Sequence, residues 1–503
     1  MDDASRIVSH ALIRNGRFVE VGNGISAQGG DVRVVNLSGH TVVPGMIEGH
    51  VHFVSLANRP GYHVVIENAA SIAEIQGLLA ARRRDVPEDE FITAMGGWHP
   101  NMFAERRLPT LAELDDAVPD RPVLLYQQFN GPARTNSRGK AFLESSANPV
   151  SVGADGSIAS GLQSTTALFN LRRRQTFEDR MRSTVDAMAY SASVGMTAVL
   201  DQVGFPSPGP LTPTQSLSQF DHFRMYDAWL AVHREGRTSI RLQANFLHNQ
   251  NDIALPELKE RLKNQFQLFG DDMMMTGGIG EWGAPGDGSG PVWHEAQRVI
   301  AEAGWRNTNR ALNLAQLENI VAGYEAVNAE FDITGLRWTI HHVPAVTGAL
   351  LDRLEALGGG VQGGTFSFVS GRGPAAGSPF RAIVDHGIPA GIHLDGVHIA
   401  PLNPWFGIYY AATGVNALGE VINAGQQITR QEAVRLFTRA NSWHLNMEDE
   451  LGSIEVGKLA DLAVLDRDYL AVTDEQLKRI RPVMTLVSGR VVHDTGELDR
   501  RRG

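Results

Sequence analysis

Between residues 42 and 52 the chain reads Val42-Val43-Pro44-Gly45-Met46-Ile47-Glu48-Gly49-His50-Val51-His52. The Pro-Gly pair marks entry into an extended segment, and on a strand residues two apart face the same side. His50 and His52 therefore project together. Two imidazoles on one face can hold a divalent ion at about 2.0–2.1 Å; the same pair is also compatible with two half-buried structural histidines. Composition narrows the chemistry. The 503 residues include 17 His and no Cys. That excludes disulfides, Cys zinc fingers, iron–sulfur clusters and thiol nucleophiles, so any metal must be held by imidazole and carboxylate. With 56 Asp+Glu against 45 Lys+Arg, the formal net charge of −11 is a poor match to nucleic acid or to an anionic membrane. The acidic start Met1-Asp2-Asp3 lacks a secretory pattern and no apolar run nears 18 residues, so a cytoplasmic protein acting on a small molecule is expected.

Outward from that segment, both chain ends read as β. Residues 5–43 carry short alternating runs around the turn Asn15-Gly16, a hairpin signal. Leu462–Leu465, Val483–Val487 and the segment past Ser488-Gly489 read the same way. Residues 1–43 and 451–503 are thus expected to pair as one small β-sandwich domain, with chain termini close together. The middle, 44–450, alternates apolar runs with helical patterns. Strand candidates are Phe91–Met95, Val123–Tyr126, Thr197–Asp201, Ser239–Ala244, Trp338–His342, Gly360–Gln362 and Ala390–Asp395. Capping-box starts occur at Ser71/Glu74, Thr110/Glu113 and Thr429/Glu432. Strand–helix alternation over this length predicts a parallel α/β fold. The Gly/Pro-rich segments 203–213 and 283–291 read as long loops of the kind that carry function.

Three ordered motifs carry a family resemblance. Pro44-Gly45-x-Ile47-x-x-His50-x-His52 resembles the first-strand signature of the amidohydrolase superfamily. Gly452-Ser453-Ile454-Glu455-Val456-Gly457-Lys458-Leu459-Ala460-Asp461 resembles its closing segment. Gly96-Gly97-Trp98, Leu108-Pro109-Thr110, Leu114-Asp115, Pro122-Val123 and Asn136-Ser137 follow the order of amidohydrolase family 3, the group of metal-dependent hydrolases that includes formamide deformylases. The resemblance implies a distorted TIM (β/α)8 barrel with metal at the C-terminal ends of its strands. It also implies ligands from a first-strand His pair, a carboxylated Lys on strand four, His on strands five and six, and Asp on strand eight.

Carried over residue by residue, His50 and His52 match the first pair. Thr339-Ile340-His341-His342 matches the fifth-strand segment, with His342 at the ligand position and His341 where relatives have Glu. His393-Leu394-Asp395-Gly396 matches the eighth, with Asp395 as ligand and base. Two departures stand out. No lysine occurs between Lys263 and Lys458, and Val361–Thr365 lacks the sixth-strand histidine. The set His50, His52, His342 and Asp395 suits one metal, expected to be Zn²⁺, with Mn²⁺ or Fe²⁺ open. His341 and His393 are candidates for acid or carbonyl-polarising work. Trp98, Asn130, Arg134, Glu281 and Thr365 are candidate substrate contacts, and Glu281 could alternatively supply a carboxylate ligand.

The expected reaction is hydrolysis of a C–N bond in an amide, formamide or cyclic amide by a metal-activated water, in an oligomer, a dimer for example. A lyase, decarboxylase or isomerase on the same site, or an inactive binding protein, are the alternatives. Other motifs are weaker. Gly278-x-Gly280-x-x-Gly283 is followed by Ala-Pro-Gly-Asp, which cannot open a helix cleanly, so a dinucleotide site is not expected.

Overall fold

A computed structural model describes residues 6–24, 32–95, 97–127, 131–203, 225–248, 250–281, 288–371, 377–396 and 399–498. Asn130 and most of the two Gly/Pro-rich segments lie outside them. Eight parallel strands organise the larger part of the chain. They are β1 (Met46–Val51), β2 (Met196–Val203), β3 (Arg241–Phe246), β4 (Met274–Ile279), β5 (Thr308–Arg310), β6 (Thr339–His341), β7 (Gly360–Gly364) and β8 (Ala390–His393). Helices lie between successive strands from β2 onward, and their apolar faces share one large buried cluster with the strands. This is the α/β class expected from the alternation. The eight strands are not one continuous ladder, however: they form two four-stranded parallel sheets, β4-β3-β2-β1 and β5-β6-β7-β8.

The two joins between the sheets are made differently. A single parallel bridge, Ile279 with Asn307, links the end of β4 to the segment entering β5. On the other side β8 lies against β1, and side chains fill the seam. Asn441 Nδ2 donates to Ile47 O and Ile392 O, both at 2.7 Å. The Glu48 carboxylate accepts from His50 N at 3.2 Å and from Leu394 N at 3.0 Å. Buried backbone groups need partners, so these two side chains replace the missing strand-to-strand bonds.

Phe91–Met95 and Val123–Tyr126 do not join those sheets. As Ile92–Met95 and Val123–Tyr126 they belong to a separate five-stranded mixed sheet with Tyr62–His63, Ala133–Thr135 and Ser157–Ile158. An apolar run announces a strand; it carries no information on which sheet takes it. Both chain ends meet in a small β unit. Val42–Pro44, Leu462–Leu465, Pro482–Val487 and Arg490–Asp494 make an antiparallel sheet, and a hairpin, His10–Arg14 with Arg17–Gly22, leans on it. The hairpin turn has Asn15 at φ 52° and Gly16 at φ 79°, the two positive values a tight two-residue turn requires. Phe18 N donates to Lys458 O at 2.9 Å, and Phe18 packs on Ala460, Leu462 and Val483. Among the described residues the unit has one sheet and one hairpin, so the pairing does not show a two-sheet sandwich.

Arg241 ties this unit to β3. Its guanidinium donates to both Asp461 oxygens at 2.8 and 2.9 Å, with both side chains buried. Removing one partner of a buried pair strands the other charge, which costs about 3–5 kcal/mol. Arg241→Ala is therefore expected to lose that much unfolding free energy in a denaturant titration; a loss below about 1 kcal/mol would show the contact to be incidental. Among the described residues no helix is long and apolar enough to cross a membrane.

Candidate metal centre

The C-terminal ends of β1, β4, β6 and β8 deliver one buried cluster. His50 is the penultimate residue of β1 and His52 follows the strand's end. Glu281 lies just past β4, His342 just past β6 and Asp395 two residues past β8. All five are at most 4% exposed. His52 Nε2 lies 3.5 Å from Glu281 Oε2 and 3.6 Å from Asp395 Oδ1. His342 Nε2 lies 3.3 Å from Glu281 Oε1 and 4.0 Å from Asp395 Oδ2. His50 Nε2 lies 3.7 Å from Glu281 Oε2.

Backbone conformation helps to build this convergence. His341 faces inward, so a regular strand would turn its neighbour His342 outward. Instead His342 adopts φ 69°, in the left-handed region, and the turn brings its ring inward as well. Asp395, at φ 53°, is also left-handed. Such residues cost on the order of 1–3 kcal/mol each and gather at functional sites. Strand β8 stops at His393, short of the expected Asp395, as the chain turns away.

Supporting contacts fix which ring nitrogen faces inward. His52 Nδ1 meets Gln202 O at 2.9 Å, leaving Nε2 for the centre. His50 Nδ1 meets His341 Nδ1 at 2.7 Å, and His341 Nε2 meets Thr339 Oγ1 at 3.2 Å. Both His341 nitrogens are thus engaged behind the centre, an arrangement suited to orienting His50 more than to exchanging protons with a substrate. Burial pushes His50, His341 and His393 well below their ordinary pKa, and His342 to about 4. The imidazoles are neutral at pH 7, the form that ligates metal. Burial raises Glu281 and lifts Asp395 to about 7.

These residues fit a divalent ion. His50 Nε2, Glu281 Oε2 and Asp395 Oδ1 are buried without a hydrogen-bond partner, a state proteins rarely leave uncompensated. Donor atoms on a tetrahedron of about 2.0–2.1 Å radius lie about 3.3–3.4 Å apart, close to the shorter separations here. Two triads meet the spacing, His50–His52–Glu281 and His50–His342–Asp395, and they share His50. An all-nitrogen and oxygen set suits Zn²⁺, Mn²⁺ or Fe²⁺.

The other expected site residues scatter. His393 is in the cluster, its ring 4.8 Å from those of His50 and His342, with neither nitrogen hydrogen-bonded. Thr365 is buried, and its hydroxyl donates to His393 O at 3.1 Å, a framework contact. Trp98 lines a small cavity with Glu67 and Tyr190 whose walls include none of the five ligand candidates. Arg134 sits on the five-stranded sheet beside Asp155 at 3.5 Å. Sequence reasoning gave Glu281 a place as a tentative substrate contact and, alternatively, as a carboxylate ligand; its signal was a position two residues past a glycine-rich strand. It missed Glu48, whose signal was its place two residues before His50. It also missed Arg310, whose Nε lies 3.4 Å from Glu281 Oε1.

Strand count is corrected too. Thr339–His341 is the sixth parallel strand, not the fifth, and Gly360–Gly364 is the seventh. The unexpected fifth strand is Thr308–Arg310, so the sixth strand keeps its histidine and the fifth ends in arginine.

A family model described as "amidohydrolase family" matches residues 33–493. N-substituted formamide deformylase from Arthrobacter pascens is 23% identical, over 97% of this chain and 95% of its own length. An uncharacterised metal-dependent hydrolase from Pyrococcus horikoshii superposes with a TM-score of 0.59 at 19% identity, covering 93% of this chain and 95% of that one. Atrazine chlorohydrolase from Arthrobacter aurescens, solved with zinc, superposes with a TM-score of 0.54 at 16% identity, covering 99% and 95%.

Proposed function

The chain belongs to the amidohydrolase family, and from that premise we propose that it is a metal-dependent hydrolase of a C–N bond in a small amide, formamide or cyclic amide. The observation that carries this reading is the convergence of His50, His52, His342, Glu281 and Asp395, with three of their donor atoms buried and without a hydrogen-bond partner. The two half-sheets are read as an eight-stranded barrel whose β1–β8 seam is sealed by Glu48 and Asn441.

These five residues would hold one divalent ion, Zn²⁺ being the best match to the donor set. Such an ion supplies a Lewis acid that lets water act as a nucleophile near neutral pH and polarises a carbonyl. The chain's own residues do the rest. Gln202 and His341 hold the His52 and His50 rings so that their Nε2 atoms face the centre. The Asp395 carboxylate, through the oxygen left free of the ion, would accept a proton from water and return it to the leaving nitrogen. Phe366 lies edge-on to the His342 ring, at 5.4 Å, and contributes an apolar wall.

Stripping the protein with a chelator should abolish hydrolysis of a panel of N-substituted formamides and cyclic amides, and Zn²⁺ or Mn²⁺ should restore it. Product formed in ¹⁸O-labelled water should carry the label. Turnover without label incorporation would point instead to a lyase or isomerase.

A further inference from the structure

Arg310 is the inward-facing residue at the C-terminal end of β5. The strand alternates: Thr308 faces inward, its hydroxyl 3.1 Å from that of Thr339, while Asn309 faces the helices and accepts from Trp293 Nε1 at 3.0 Å. Arg310 follows on the inner side, with Nε 3.4 Å from Glu281 Oε1. That same oxygen lies 3.3 Å from His342 Nε2, whereas Glu281 Oε2 turns towards His52 and His50 at 3.5 and 3.7 Å. Glu281 thus has Oε2 turned towards His52 and His50, and Oε1 shared between His342 and the Arg310 guanidinium.

From this juxtaposition of Arg310, Glu281 and His342 we infer that Arg310 restricts the centre to a single divalent ion by occupying the place where a second would sit. The inference rests on the metal reading above and deepens it. Paired ions in two-metal sites lie about 3.5–4 Å apart, bridged by shared ligands. Glu281 is the carboxylate here that reaches both sides, and its Oε1, 3.3 Å from His342 Nε2, already faces the guanidinium at 3.4 Å. Arginine stays protonated under all ordinary conditions and offers no lone pair, so it repels a cation and cannot ligate one. A second divalent ion there would also sit against the Arg310 guanidinium, a like-charge contact that opposes its binding. Glu48, a buried carboxylate on β1, has its oxygens committed to backbone N–H groups.

The test is metal stoichiometry, which does not depend on turnover. Chelator-stripped protein is titrated with Zn²⁺ or Mn²⁺ and its bound metal measured by elemental analysis after desalting, with circular dichroism checking the fold. The unaltered protein should bind one equivalent. Arg310→His carries an imidazole nitrogen the same number of bonds from Cβ as Arg310 Nε, beside Glu281 and His342, and should bind two. Arg310→Lys keeps the charge and should stay at one. Should Arg310→His fail to fold, Arg310→Gln removes the charge, offers only an amide oxygen in its place, and should add a second, weaker binding step. Two equivalents in the unaltered protein, or in Arg310→Lys, would overturn the inference while leaving the metal reading intact. So would a single equivalent in folded Arg310→His, or no second step in Arg310→Gln. No bound ion in the unaltered protein would overturn the metal reading and this inference with it.

Discussion

Asp395→Asn is expected to lower kcat by roughly 10²–10⁴-fold, the range that a positioned proton-transfer group contributes. Asparagine keeps the size of the side chain and tolerates the left-handed backbone that Asp395 adopts at φ 53°. The fold should therefore survive, and thermal unfolding should move little. What is lost is the carboxylate, buried and pushed up to about 7, whose Oδ1 lies 3.6 Å from His52 Nε2. A neutral amide cannot take a proton from water, and its oxygen is a weaker ligand. Steady-state kinetics at saturating metal separate these effects: a kcat that falls with metal in excess identifies the proton-transfer role. If Asp395 were only a turn residue, activity would persist and stability alone would change.

Glu281→Ala is expected to weaken divalent-metal binding by more than the roughly 10–100-fold that loss of a supporting partner costs. Glu281 lies within 3.3–3.7 Å of ring nitrogens from three histidines, so its removal takes away the shared acid of the cluster. Arg310 would then face the centre without its carboxylate at 3.4 Å, and the repulsion would add to the loss. Competition against a fluorescent chelator reads the affinity directly. Thr365→Ala, which removes a framework hydroxyl bonded to His393 O, serves as the comparison and should change affinity little. Equal, small effects from both substitutions would remove Glu281 from the ligand set.

The two proposals draw on parts of the chain that differ in how readable they were. The His50-x-His52 pair was legible because a strand's two-residue period fixes which side chains share a face. His342 and Asp395 were reached through the motif resemblance, and nothing in local propensity announces the left-handed turns that aim them. Glu281 was harder. It follows Met274–Ile279, a strand interrupted by two glycines, and its G-x-G pattern reads first as a loop. Arg310 was missed because Thr308-Asn309-Arg310 has no apolar residue at all. Its alternation is polar on both faces, with Thr308 bonded inside the strand layer and Asn309 to the helices. Losing that one strand shifted the strand count and made the sixth-strand histidine look absent.

The β-rich ends were legible from turn chemistry at Asn15-Gly16 and Ser488-Gly489, where the structure shows Asn15 and Ser488 with positive φ. Thr110 with Glu113 and Thr429 with Glu432 form reciprocal capping boxes, while Ser71 accepts from Glu74 N but Glu74 reaches back to Ala70 N instead. Short-range hydrogen bonding of this kind is written locally. The assignment of Ile92–Met95 and Val123–Tyr126 to a separate sheet is not, because it depends on partners far along the chain.

The central claim is that these five side chains hold a divalent ion, and anomalous diffraction at the zinc edge tests it most directly. Crystals grown with one equivalent of Zn²⁺ should show one strong anomalous peak among His50 Nε2, His52 Nε2, His342 Nε2, Glu281 and Asp395. A fully occupied peak elsewhere, or none in this cluster while the side chains keep their positions, would contradict it.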